Sequence, residues 1–581
     1  MKTILNYKFP VFLVVILYFF HLSVRDFSNP YQKPINADAK AYYAYLPAIF
    51  IYHDSQFNFV KSIDDKYYKG FSKDFLNVTT NGKKVNKTFP GAAVLYLPFF
   101  LLAHFIALLF GLNADGYSYV YQFLFDFGYW FYLFLGSVYY VKLFRQLKFN
   151  DNQIYFSLFI LLLGTNIFFY SVVDVTVTHI MNFALINAVI YHALKLQSLF
   201  KFSTNLKEIN QRLFYLITLL LLIGITRPTN ILIFLVILIF IPQKEFYIRF
   251  IKSVLYPKRI IIALGLLILI GSIPFLLWHW QTQHWIVYSY GKEGFDFSNP
   301  QIFNFLWSYK KGWFVYTPLA LITMIFGLFY LYKQSKIKVG LIILFYASSV
   351  YIFSSWWCWY YGAGLSQRVM IDFSSVLGLL ILVVLSQSNR IVKQIFIGLS
   401  VLSMVFNLIL TYQVTKGIYP LGSPSKEIFW DNFLSLQQKM RVYEKDDWKM
   451  IEKIKVSLNS DHVVKGHVKK GHQNYFIQTN TKEPYSPSVL VNFKQPSKKI
   501  IITFKALPQT SIDKLRLVVF NPKKPNKLYP IFLKQFCSLN KECKMEALVE
   551  FDTSAQQIEF YFWNANTNET CDFYDINVSS F

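Results

Sequence analysis

Apolar stretches of about 20 residues recur from Pro10 to Tyr412, each long enough to cross roughly 30 Å of hydrocarbon at 1.5 Å per helical residue. That recurrence sets the fold class. In lipid only helices and closed barrels satisfy their own backbone polar groups, and the length of these runs selects helices. Composition agrees: 54% of the 581 residues are hydrophobic, 19% are aromatic and only 15% are charged, more apolar surface than a soluble domain buries. The chain reads as a polytopic α-helical membrane protein. Its formal charge of +26, from 58 Lys and Arg against 32 Asp and Glu, fits cytoplasmic loops that collect positive charge. No nucleic-acid module is present, and four cysteines are too few for a disulfide scaffold.

The basic clusters set the expected topology. They are Lys142 with Arg145 and Lys148, Lys195 to Arg212, Lys244 to Arg259, Lys333 to Lys338, and Arg390 with Lys393. An even number of crossings between them gives about 11 transmembrane helices. The first run, Val11 to Ser23, reads as a signal anchor with a cytoplasmic N-terminus. The interval Leu213 to Ile241 must break near Arg227-Pro228-Thr229-Asn230 into two short helices. Residues 91–111 are apolar enough to span, but a crossing there would invert the Lys142 cluster, so a helix dipping into or lying along the outer face is expected. The first outer loop then covers about 25–117.

Beyond Tyr412 the character changes. Runs such as Lys499 to Phe504, Leu515 to Phe520 and Ile558 to Trp563 are β-branched and aromatic, separated by turn-rich segments. The expected division is 1–415 membrane domain, 416–443 linker, and 444–581 an extracytoplasmic all-β sandwich. Cys537 and Cys543 are the nearest candidates for a disulfide there, free thiols being the alternative.

Chemistry should collect on the outer face, because the inner loops carry mostly Lys and Arg. Asp38, in Asn36 to Pro47, opens a helix-compatible aromatic stretch. It is a candidate general base or a helix N-cap. Asp174 sits at an outer turn, five residues before His179. Two such carboxylates could share a hydroxyl or a divalent cation, although no spacing reaches metal-site strength, so no metal ligands are assigned. Arg368 begins a span in a loop otherwise without charge, and a guanidinium there suits a phosphate. Lys310, Lys311 and Arg227 are further phosphate candidates. Tyr42, Tyr43, His179, Trp356 and Trp357 are the substrate-binding candidates, with interfacial anchoring the alternative for the tryptophans.

These motifs in this order, with Phe89-Pro90-Gly91 and Tyr316-Thr317-Pro318, resemble the integral-membrane glycosyltransferases of the GT-C fold, the superfamily of protein O-mannosyltransferases and lipid A aminoarabinose transferases. The resemblance covers about residues 8–412 and is to bacterial members. It implies a polyprenyl-phosphate-sugar donor, an outer active site, an essential first-loop acid at Asp38 and a second acid at Asp174. It also implies a multi-pass protein of the bacterial inner membrane with its C-terminal domain in the periplasm. Ala39 stands where many relatives carry Glu, and Cys358 where they often carry an acid, which weakens a metal site.

The expected reaction is inverting sugar transfer to an acceptor hydroxyl on a lipid, glycan or protein, with Asp38 as base and Arg368 and the lysines stabilising the departing phosphate. A flippase for lipid-linked sugars is the alternative, suggested by the Arg227-Pro228 break and by Asp126 near the start of a span. A third reading makes the β domain a glycan-binding or assembly module on a membrane anchor. Sugar and acceptor identity, metal need and oligomeric state have no signal in the sequence.

Overall fold

A computed structural model describes residues 7–25, 32–68, 75–202, 205–419, 421, 424 and 426–436, then strand residues between 454 and 580. The chain divides into two compact units, Met1–Gln437 and Gln438–Phe581.

The first unit is helical. Among its described residues, six helices are long and apolar enough to cross a membrane: Gly91–Leu109, His179–Phe202, Leu206–Thr226, Pro257–Thr282, Lys336–Ser354 and Arg390–Thr415. Shorter apolar helices accompany them at Lys8–Val24, Pro228–Phe240, Pro318–Tyr332 and Ser374–Gln387. The 28-residue helix Tyr119–Gln146 packs against three of these. Several of its polar groups find partners inside the bundle, as lipid-embedded groups tend to. The Tyr129 hydroxyl donates to the Tyr170 carbonyl at 2.6 Å, and Asp126 meets His21 Nε2 at 3.1 Å. The other nitrogen of His21 donates to the Val172 carbonyl at 2.8 Å.

The described residues between the first helix and Gly91 form a compact cap. Helices Ala37–Tyr43, Tyr45–Phe50 and Phe59–Tyr67 precede a hairpin of strands Leu76–Val78 and Lys84–Asn86. A buried Lys40–Asp64 ion pair and the Asn86 amide, donating to the Ala41 carbonyl at 2.7 Å, lock these pieces together. A glycine is required at 91, where a Cβ would lie 2.3 Å from Thr226 Oγ1.

Residues 91–109 form one unbroken helix of spanning length, where a dipping or surface-lying segment was expected. Both its ends are nonetheless tied to the same cap. Tyr45 Oη donates to the Thr88 carbonyl at 2.7 Å, just before the helix. Past its end, Tyr43 Oη donates to the Gly116 carbonyl at 2.7 Å and Tyr52 Oη to that of Asp115 at 3.0 Å.

The break expected near Arg227 is present, but its halves are unequal. A 21-residue helix ends at Thr226, and a 3-10 turn Pro228–Leu232 leads into the short helix Ile233–Phe240. Proline at 228 cannot donate to a continuing helix, and Arg227 is extended at φ −147°.

The first part of the expected linker is folded into this unit. Helix Lys426–Asp431 brings Phe429 against Tyr309 and Tyr316, and Tyr419 shares a 2.5 Å hydroxyl contact with Tyr316.

In the second unit every described residue is in a strand. The longest strands, Ser488–Pro508 and Cys543–Asn564, pair antiparallel. Alternation marks the buried face: Ile502 and Phe504, Leu517 and Val519, and Ile558, Phe560 and Phe562 are all buried, two residues apart as the pleat requires. Cys537 of the candidate disulfide lies outside the described residues.

Candidate functional site

Asp38 enters the site as the second residue of helix Ala37–Tyr43. Asn36 is the cap, its side chain accepting from the Ala37 N–H, so Asp38 is free of that duty. Its Oδ2 instead accepts from Arg368 Nη2 at 2.6 Å, across 330 residues of sequence. Ala37, immediately before it, has φ +48°, a conformation non-glycine residues rarely hold unless the surroundings enforce it.

Arg368 is delivered by an equally constrained loop. Tyr361, Gly362, Gly364 and Ser366 all have positive φ. At Gly364, φ is +143° and a Cβ would stand 2.3 Å from Tyr170 Oη, so only glycine fits. The Gly364 carbonyl accepts from the ammonium of Lys311, which pins the loop from the other side. Burial works against the charged Arg368 guanidinium, but Asp38, Tyr170, Tyr42 and Asp174 more than offset it and hold it above its ordinary pKa. Its Nε is buried without a hydrogen-bond partner among the described residues, an orphan donor of the kind binding sites retain. The pair is not sealed: the Arg368 and Asp38 side chains are 15% and 20% exposed.

Asp174 contributes charge to this site and no direct contact with Arg368. Its Oδ1 accepts from the Thr176 N–H at 3.2 Å and from the Thr176 hydroxyl at 2.5 Å, so the carboxylate fixes its own turn. Tyr42 faces the site. Burial and the charge of Asp38 raise its hydroxyl, while Arg227 and Arg368 pull the other way. Tyr43, one residue on, points into the core against Phe100, Tyr117 and Phe125.

The lysines divide. Lys311 is 2% exposed, and burial and the neighbouring Arg368 push its ammonium down to about 7. Lys310 lies 3.4 Å over the Tyr360 ring. Trp356 bridges to the backbone of Phe295 and packs edge-on against the Tyr290 and Phe295 rings. Trp357 is exposed, as an interfacial anchor would be.

The structure adds Asp372, which sequence reasoning missed. Its Oδ1 lies 2.6 Å from His179 Nδ1, and its Oδ2 accepts from Asn230 Nδ2 at 2.7 Å. Arg227 completes the group, with Nε 3.8 Å from Asp372 Oδ2 and Nη1 3.4 Å from His179 Nε2. The signal that could have found it is a lone acid inside an apolar run, four residues after Arg368. Among the described residues no cluster of three or more His, Cys, Asp or Glu is arranged to hold a metal ion.

The arrangement offers one reachable carboxylate–guanidinium pair with a second arginine nearby. Chemically it can accept a proton from a hydroxyl and bind an anionic oxygen. No protein-family model matches the chain, and no curated protein matches it in sequence.

Proposed function

We propose that the protein is a membrane glycosyltransferase that moves a sugar from a polyprenyl-phosphate donor to an acceptor hydroxyl. The observation that carries this reading is the Asp38–Arg368 contact, 2.6 Å long and partly open to solvent. A carboxylate and a guanidinium side by side, on segments that the fold holds in strained backbone, suit a base and a phosphate-binding cation. A lipid-borne donor fits a helical bundle, because its tail stays in hydrocarbon while its sugar phosphate reaches the rim.

In the reaction, the acceptor oxygen attacks the anomeric carbon as the bond from that carbon to the phosphate oxygen breaks. The bonding electrons leave with the polyprenyl phosphate, whose growing charge Arg368 stabilises. The acceptor proton passes to Asp38. A single displacement inverts the anomeric carbon. Asp174 acts at a distance, by adding negative charge near Arg368 and by fixing the turn ahead of His179.

The remaining assignments belong to the same proposal. About 11 crossings, a cytoplasmic N-terminus, a bacterial inner-membrane location and a periplasmic β-sandwich that positions the acceptor are consistent with the basic loops and with the strands of the second unit. The lipid, glycan or protein acceptor binds beside Tyr42.

Transport of the same lipid-linked sugar is the second reading, favoured by the buried His21–Asp126 and His179–Asp372 pairs within the helical bundle. Proteoliposomes loaded with a labelled polyprenyl-phosphate hexose and supplied with envelope glycans and lipids separate the two. The transferase reading expects free polyprenyl phosphate to be released together with labelled acceptor. Label crossing the bilayer while still attached to its lipid would overturn it.

A further inference from the structure

Asp372 is 1% exposed, and a carboxylate in such a place must be fully compensated to stay charged. Its three neighbours come from separate segments: His179 opens one spanning helix, and Arg227 and Asn230 form the break after another, while Asp372 itself follows the 3-10 turn Arg368–Met370. Among the described residues Arg227 is the one cation in contact with it.

The hydrogen-bond directions follow from the donor inventory. A guanidinium only donates, so His179 Nε2, facing Arg227 Nη1 at 3.4 Å, is the accepting nitrogen. The proton of His179 therefore sits on Nδ1 and is donated to Asp372 at 2.6 Å. The carboxylate thus reaches Arg227 in two ways, as an ion pair 3.8 Å from Nε and through the imidazole hydrogen-bonded to Nη1.

The Arg227 side chain is 19% exposed, and its charge is felt by the rings around the Asp38–Arg368 pair. Tyr42 feels Asp38, Arg227 and Arg368 together, and Tyr361 feels Arg227 and Arg368.

We propose that Asp372 is a positioning residue that holds Arg227, directly and through His179, as the second cation of the donor-phosphate site. This rests on the transferase reading, in which the phosphate between Arg368 and Arg227 is the leaving group. It assigns the four-residue group a task beyond packing: without Asp372 a long, mobile side chain would have to be ordered by the ligand itself, at a cost to affinity.

The test uses the full chain in detergent and a short-chain polyprenyl phosphate as probe. Asp372→Asn and Arg227→Gln should each weaken its binding by about tenfold, and the double variant should bind no more weakly than Arg227→Gln alone, because coupled residues are not additive. Nitrogen NMR of the histidine-labelled wild-type protein should show His179 protonated at Nδ1 and bare at Nε2, a readout that needs no folded Asp372 variant. Additive losses in the double variant, or His179 protonated at Nε2, would overturn the positioning role while leaving the donor site standing. Wild-type protein that binds no polyprenyl phosphate would remove the donor site and this role with it.

Discussion

Asp38 and Asp372 each face an arginine at the site, and they differ in how far they are sealed. Asp38 and Arg368 are 20% and 15% exposed, whereas Asp372 and its partner His179 are both 1% exposed. The first pair has a spare N–H and a route to solvent, which the proposed reaction uses: a substrate phosphate takes over the guanidinium and releases the carboxylate as a base. The second has both oxygens occupied and serves to hold other groups. Burial, more than residue type, separates an acid open to a ligand from an acid that braces.

The comparison breaks most sharply at Asp38. Asp38→Asn should lower turnover by about a hundredfold to ten-thousandfold, the range for loss of a general base, compared at matched folded protein because removing one charge from a mostly buried pair also costs stability. Arg368→Gln should cost about a hundredfold to a thousandfold in kcat, measured with donor saturating. Loss of Asp126 is the reverse case. Asp126→Ala leaves His21 buried without its acid and should cost about 3–5 kcal/mol of stability in a denaturation series, while the kcat of the surviving folded fraction is unchanged.

Gly364→Ala tests the loop itself. With Tyr170 Oη in the way of any Cβ, it should displace Arg368 and reduce kcat by about tenfold to a hundredfold. The smallest expected effect is at Lys311. Its folded value of about 7 lies below the ordinary 10.5, so between those values the unfolded chain binds the extra proton and stability rises with pH. Lys311→Met should flatten the melting temperature against pH between about 7 and 10; an unchanged slope would show that this lysine is not the source.

The legible parts of the site were charges set in apolar surroundings. Asp38 stood out as an acid opening an aromatic stretch of the first outer loop and Arg368 as a lone charge where a span begins, and the structure joins them. Asp372 went unseen because Val369 to Phe373 reads as the opening of a span, and nothing local reveals that His179 and Asn230 close around it. Tyr42 and Tyr43 are indistinguishable by type, yet consecutive helical residues point about 100° apart, and only one meets the site. Asn36 rather than Asp38 caps the helix, although both residue types are good caps, because the chain turns into helix at Ala37. Residues 91–109 carried two conflicting signals, spanning hydropathy and loop parity. The structure answers with a full-length helix whose two ends share one cap.

The central claim is tested most directly by single-turnover transfer from a labelled polyprenyl-phosphate sugar, comparing wild type with Asp38→Asn at matched folded protein. A base in contact with Arg368 predicts donor binding at least as tight as wild type, because the phosphate no longer competes with the carboxylate, alongside loss of product formation. Normal product formation by the Asp38→Asn protein would contradict the account.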